Sequence, residues 1–317
     1  MSTIKVAYLG PPGTYSHQFD NVEDYKVEYF PQPSIASCFK AIDNNECDYS
    51  LVPFENSSNG QVVLSYDLFR DWYINKEKLL ALSGGENTQD IKTPDFSVIG
   101  EQFVSINHNF ITFSSDLTKI NKIYSHPQVW SQCNMFLNQH ELDNSIKIQK
   151  IDTSSTSKAV EIVAKLRDDP VEREQVAAIA SATASKIHNV PIQSTSIEDI
   201  KGNTTRFLVL GRTDLPKTGN DKTTKERISL LCFVIKKNDD FGSLCDILEV
   251  FKKYDLNLQT ITTRPSVISP WRYVFFVEVW ESEKLKDALN SLDDLVLDYN
   301  VIGSFPRNQR FFDMIKK

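Results

Sequence analysis

The chain has 317 residues, 40% hydrophobic and 24% charged, with a formal net charge of −7. The composition is that of a globular protein, and the length exceeds one typical core, so two or three domains are expected. The acidic balance excludes a nucleic-acid partner, which would need a basic face, and no apolar run is long enough to span a membrane.

Met1-Ser2-Thr3 leads straight into the strand-like run Ile4–Leu9, so no signal peptide is expected and a cytoplasmic location is. That run ends in Gly10–Ser16, a tight loop whose glycines permit close backbone approach and whose Thr14 and Ser16 supply hydroxyls. A helix reads near Ser34–Asn44, then a strand at Tyr49–Pro53 that runs into Glu55-Asn56-Ser57-Ser58-Asn59-Gly60. Asn56 offers both a donor and an acceptor to a carboxylate or hydroxyl ligand. Gly84–Ser97 is polar and irregular and reads as a surface insertion. Ile123-Tyr124 is a short strand before Ser125-His126-Pro127-Gln128, with Ser125 a candidate cap for a helix over Gln128–Gln139 on which Gln128 and Gln132 share a face. Ser154-Ser155-Thr156 precedes the helical spacing of Ser157–Arg167, again either a cap or an anion site. Strands at Ala177–Ala180 and Phe207–Leu210 follow, the second entered through Asn203-Thr204-Thr205-Arg206. Arg206 can clamp a carboxylate or make a structural ion pair, and Thr205 can hydrogen-bond an attacking or leaving oxygen.

This alternation predicts α/β layers, with polar loops gathered at strand ends where open α/β sheets bind ligands. Residues 211–226 have linker composition. Beyond them, strands at Ile228–Ile235, Leu256–Ile261, Arg272–Trp280 and Val301–Phe305 interleave with amphipathic helices at Gly242–Tyr254 and Ser282–Leu292. The order βαββαβ is ferredoxin-like, and its helix-free face or an edge is expected to be open for self-association. The five cysteines and five histidines show no metal-ligand spacing, and reduced thiols are expected.

Taken together, these stretches resemble prephenate dehydratase over nearly the whole chain and in the same order. Gly10–Ser16 is similar to that family's opening loop, and Val52-Pro53-Phe54-Glu55-Asn56 to its Val-Pro-Ile-Glu-Asn signature. Ser125-His126-Pro127-Gln128 with Gln132-Cys133, Ser155-Thr156, Ala178–Ser181 and Asn203–Phe207 match further signatures. The C-terminal module resembles an ACT domain, with Gly242-Ser243-Leu244 where the family has Gly-Ala-Leu and Thr262-Thr263-Arg264-Pro265 where it has Glu-Ser-Arg-Pro. Gln18-Phe19-Asp20, Phe54 and Ser157-Lys158 also depart from the family pattern.

The resemblance implies two α/β lobes around a cleft, like type II periplasmic binding proteins, in residues 1–212, one lobe being roughly 1–95 with 188–212 and the other 96–187. A linker at 213–226 and an ACT domain at 227–317 would follow. It implies conversion of prephenate to phenylpyruvate with loss of water and carbon dioxide, without cofactor or metal. It places Asn56, Ser125, Gln132 and Arg206 at the substrate, with Thr205 catalytic, and the hydroxyls of Thr14, Ser16, Ser155 and Thr156 are further candidates to bind it. A threonine hydroxyl is a very weak acid, so full proton transfer would need a relay, for which Glu55 is a candidate or else a structural residue. It further implies feedback by L-phenylalanine at Gly242–Leu244 and Thr262–Pro265, and a homodimer or homotetramer formed through ACT domains. Rival readings are an arogenate dehydratase and a non-catalytic ligand sensor.

Overall fold

The structure, a computed structural model, describes residues 2–17, 25–74, 94–215, 223–237, 240–267 and 269–316. Gln18–Asp20, most of the expected insertion and the middle of the linker lie outside the described residues. In chain order the elements are β1 (Ser2–Leu9), β2 (Tyr25–Gln32), α1 (Ile35–Asp43), β3 (Tyr49–Asn56), β4 (Gly60–Gln61), α2 (Val63–Tyr73), β5 (Ser97–Ser105), β6 (Asn109–Ile111), β7 (Lys122–Ser125), α3 (Gln128–Gln132), α4 (Asn134–Asn144), β8 (Gln149–Asp152), α5 (Thr156–Lys165), β9 (Val176–Ala180), α6 (Ala182–His188), β10 (Ile192–Ser194) and β11 (Thr204–Gly211). The C-terminal module is β12 (Thr223–Ile235), α7 (Ser243–Lys253), β13 (Leu258–Pro265), β14 (Tyr273–Trp280), α8 (Leu285–Asn290) and β15 (Val296–Asn308), closed by α9 (Gln309–Ile315).

Two mixed sheets form the two lobes. The first has the order β2-β1-β3-β11-β5 with β4 on β3, and the second β10-β6-β9-β7-β8. The expected crossing points shift. Ser97–Ser105 pairs with β11, so the chain leaves the first lobe after residue 105 and not at 96. Ile192–Ser194 pairs with β6, so it returns after residue 194 and not at 188. The single helix expected over Gln128–Gln139 is broken at Cys133, where the Asp199 carboxylate accepts from the Asn134 and Met135 backbone N–H groups at 2.9 and 3.0 Å and starts α4 anew.

The C-terminal sheet has the order β13-β14-β12-β15. Strand β12 is apolar on both faces. Leu231, Phe233 and Ile235 pack under α7 and α8 with Ile247, Phe251 and Leu289. Ile228, Leu230, Cys232 and Val234 face the other way and share one buried cluster with Val52, Phe54, Tyr66, Leu208 and Leu210 of the first lobe. The helix-free face is therefore covered by the chain's own first lobe, which corrects the expectation that it is open for self-association; among the described residues, the outer edge of β13 has no strand neighbour. β15 lies so close on β5 that a methyl group on Gly303 would collide with the Val98 carbonyl oxygen. Among the described residues, no helix is long and apolar enough to cross a membrane.

Candidate functional site

A cleft of about 980 Å³ opens between the two lobes. The Leu9–Ser16 loop, the β3–β4 turn, Asn203 and Thr205 line one wall; His108, Gln128, Gln132 and Ser154–Thr156 line the other. Among the described lining residues there is no Lys, Arg, Asp or Glu. No group of His, Cys, Asp and Glu among the described residues is arranged to hold a metal ion. The lobes are stitched together at the glycine loop. Ser157 Oγ donates to the Pro12 carbonyl at 2.5 Å and Ser181 Oγ to the Gly13 carbonyl at 2.9 Å. Gly13 has φ +89°, and a methyl there would press on Ser157 and on Ala184.

Thr205 is held by Asn56. The Asn56 side-chain oxygen accepts from the backbone N–H groups of Ser58 and Asn59 at 3.0 and 2.9 Å. That fixes the amide, so its nitrogen faces β11 and donates to Asn203 Oδ1 at 2.8 Å and to Thr205 Oγ1 at 3.0 Å. Thr205 thus receives a hydrogen bond from behind, and its own proton is free for the cleft.

A bulge aims this pair. Thr205 is paired with Asn56 and Arg206 with Glu55, but Phe207 is paired with Pro53, so Phe54 is the extra residue. Were the same sequence paired without a bulge, simple alternation from Pro53 would turn Glu55 toward the cleft and Asn56 away. With it, Glu55 joins the face of Arg206. Its carboxyl is pushed up by burial, with Arg206 opposing and Glu278 adding to the rise. The proposed relay from Glu55 to Thr205 is therefore corrected: the two point to opposite sides of the sheet.

Of the other expected substrate residues, Thr14, Ser16, Gln132, Ser155 and Thr156 line the cleft. Thr14 Oγ1 already donates to the Leu9 carbonyl at 2.9 Å, and Ser155 caps α5 by accepting from the Lys158 N–H at 3.1 Å. Two do not reach it. Ser125 is fully buried at the end of β7 and donates to the Ile179 carbonyl at 2.7 Å, so it is neither cap nor ligand residue. Arg206 shares the face of Leu208 and Leu210, away from Thr205, and is clamped between carboxylates. Its Nε lies 2.7 Å from Glu101, and its terminal nitrogens lie 2.9 and 2.5 Å from the two Glu278 oxygens. Burial pulls the guanidinium down, but the Glu278 and Glu101 charges outweigh it and the net shift is upward. Burial likewise raises Glu278 while Arg206 and Arg307 pull it lower overall, so both directions keep the pair ionised. The structural ion pair weighed above is the outcome.

Sequence reading missed His108 and Gln61. His108 is buried on the cleft wall, its ring between Tyr15 and Gln132. The available signal was its place just past a strand end, hidden because β5 reads as polar. Gln61 lines the cleft and hydrogen-bonds Thr262 of the C-terminal module.

Gly242 starts α7 with φ +84°, and Ser243 Oγ donates to the Lys237 carbonyl at 2.7 Å. Thr262–Pro265 is the end of β13. Arg264 pairs with Asp67 at 2.8 Å, the Pro265 carbonyl accepts from Arg70 at 2.9 Å, and Thr263 is exposed. Thr262 and Arg264 therefore face the first lobe, which leaves Gly242, Ser243, Leu244 and Thr263 nearer solvent.

The family profile of prephenate dehydratase matches residues 6–215. A probable prephenate dehydratase of Saccharomyces cerevisiae is 38% identical over 336 aligned positions that cover 98% of each chain. A solved prephenate dehydratase of Arthrobacter aurescens in complex with L-Phe superposes with a TM-score of 0.72 at 21% identity, over 99% of this chain and 97% of that one. GqqA, a quorum-quenching acylase, superposes with a TM-score of 0.70 at 19% identity, over 97% and 99%. At such identities the two structures speak for the fold alone.

Proposed function

Because this chain belongs to the prephenate dehydratase family, we propose that it converts prephenate to phenylpyruvate, carbon dioxide and water in L-phenylalanine biosynthesis. The observation that carries the mechanism is the Asn56–Thr205 contact, which leaves the Thr205 O–H free as a donor. As the ring carboxylate leaves as carbon dioxide, its electron pair enters the ring and the C–O bond to the ring hydroxyl breaks. Thr205 donates a hydrogen bond to the departing oxygen, which takes up a proton from solvent and leaves as water. Aromatisation supplies the driving force, and the site positions the substrate and meets the developing charge. With no Lys or Arg among the described lining residues, the two substrate carboxylates fall to hydroxyls, amides and the N-terminal N–H groups of α5.

The absence of Asp and Glu from the described lining favours prephenate over arogenate, whose ammonium group would seek a carboxylate. An acylase reading finds no support at Thr205, because Asn56 donates to its oxygen and takes no proton from it.

In this reading residues 1–212 are the catalytic part, 213–226 the linker and 227–317 an ACT part that binds L-phenylalanine at the start of α7. The open edge of β13 is the surface for a homodimer or homotetramer, and the enzyme works in the cytosol. The test is turnover by the purified chain. Prephenate should yield phenylpyruvate, and added L-phenylalanine should suppress it. Turnover of arogenate alone would move the substrate, and turnover indifferent to phenylalanine would remove the regulation.

A further inference from the structure

Asn56, Asn203 and Thr205 are locked in one polarity on the β3–β11 wall of the cleft. The Asn56 side-chain oxygen is taken by the Ser58 and Asn59 N–H groups. Its NH₂ end therefore donates both hydrogens, one to Thr205 Oγ1 at 3.0 Å and one to Asn203 Oδ1 at 2.8 Å. The two ends of a carboxamide are told apart by their partners, and the end of Asn203 that meets a donor is its oxygen. Ser57 reinforces this orientation. Its hydroxyl accepts from the Thr204 N–H at 3.0 Å and donates its own hydrogen to the same Asn203 oxygen at 3.4 Å. The Asn203 NH₂ group is left over. It has no hydrogen bond among the described residues, yet it is not sealed in the interior. Asn203 is 7% exposed and lines the cleft, so the cleft is where that group opens.

Two donors thus stand side by side on one wall, the Thr205 O–H and the Asn203 NH₂. The residues are two apart where the chain enters β11, so they share a face. One Asn56 amide holds both, which keeps the two oxygens it bonds within about 5 Å of each other. We propose that Asn203 is a second catalytic residue, whose NH₂ donates to the departing ring oxygen beside the Thr205 hydroxyl. The role deepens the dehydratase reading above and rests on it. As the C–O bond breaks, its electron pair stays with the oxygen, which keeps its own hydrogen and takes one proton from solvent; Asn203 transfers none. Charge gathers on an atom with more than one lone pair, and a single fixed donor meets only one of them. The N-terminal N–H groups of α5, which suit a carboxylate, lie on the opposite wall and leave this wall to the hydroxyl.

The test is steady-state kinetics of the full chain on prephenate. Asn203→Ala should lower kcat about 10²–10³-fold with KM changed only a few-fold. A raised KM with kcat intact would mean that Asn203 holds a substrate carboxylate, and overturns the role. The same substitution in a Thr205→Ala background separates a direct donor from a prop for its neighbours. A direct donor should still cost at least about tenfold there. No further loss would mean that Asn203 acts only by steadying Asn56 and Thr205, and overturns the role. Asn203→Asp guards against misfolding, because it keeps the oxygen that receives Asn56 and Ser57 and replaces only the NH₂. Its kcat should fall at least as far, and an unchanged kcat overturns the role. Wild-type protein inactive on prephenate would sink the dehydratase reading and this role with it. Active wild type with kcat intact in the Asn203 variants sinks this role alone.

Discussion

At Thr205 the direction of one hydrogen bond matters more than its length. Asn56 is pinned by the Ser58 and Asn59 N–H groups so that it can only donate to Thr205 Oγ1. Asn56→Asp keeps the shape and reverses the polarity, since a carboxylate only accepts. The Thr205 proton should then turn back toward Asp and be lost to the departing oxygen. Removing one preorganised donor costs about 10²–10³ in kcat. Asn56→Asp should therefore fall in kcat by that order with KM changed only a few-fold, matching Thr205→Ala. Steady-state kinetics on prephenate check this, and a variant that loses only KM would mean Asn56 binds substrate and does not orient Thr205. Arg206, one residue further, takes no part in that kinetic argument because its guanidinium sits on the opposite face.

At the scale of elements, the bulge in β3 decides which side chains reach the cleft. Phe54 is the extra residue, and its ring stacks on Tyr66 at 4.4 Å with the Arg206 guanidinium 5.4 Å away. The bulge is a backbone feature, so Phe54→Ile should retain turnover within a few-fold and cost about 1–2 kcal/mol of stability from lost ring contacts. Deleting Phe54 turns the bulge into a regular ladder in which Glu55 still meets Arg206 and Asn56 still meets Thr205, so a folded deletion variant should keep turnover. A deletion variant that stays folded but loses turnover would refute that register. The amino-acid order alone could not show this, because a bulge is a relation between two strands and β11 lies far along the chain. Strand β5 was illegible for a related reason. Gly100-Glu101-Gln102 reads as polar, yet Glu101 is buried because Arg206 and Arg307 reach it from distant segments. Thr262–Pro265 closes β13 despite its proline, because an edge strand tolerates one. What was legible is local: the glycine loop after β1, the Ser155 cap of α5 and the apolar stripes of α1 and α7 follow from neighbours in sequence. The Thr205–Asn56 side of the site was legible through motif order, whereas His108, Ser125 and Arg206 depended on which face each strand turned inward.

Across the whole molecule, the C-terminal module and the first lobe share one core and one ion cluster. Leu208 and Leu210 pack with Ile228, Leu230 and Phe276, and Glu278 of β14 holds Arg206 of β11. Chains of several domains usually unfold in steps, because contacts between domains are small and polar. Here the interface is apolar and continuous with the core of each part, so the two should melt together. Calorimetry at neutral pH should give one transition with equal calorimetric and van't Hoff enthalpies. Two resolved transitions would mean that the shared core contributes little. Acid provides the second half of the test. The folded-state pKa of Glu278 lies below its ordinary value of 4.5, so its stabilising contribution is full above that value and is lost as pH falls through the folded pKa. Glu55, raised by burial, works in the opposite sense, but it is partly exposed and lacks a clamp of this kind. Glu278 should therefore dominate, and stability should decline steeply below about pH 4.5. Glu278→Gln leaves Arg206 with one weakened partner. Its cost should be about 3–5 kcal/mol at neutral pH and shrink toward zero in acid, where the wild-type carboxyl is itself neutral. A penalty that stayed constant with pH would show that Glu278 acts through packing and not through its charge.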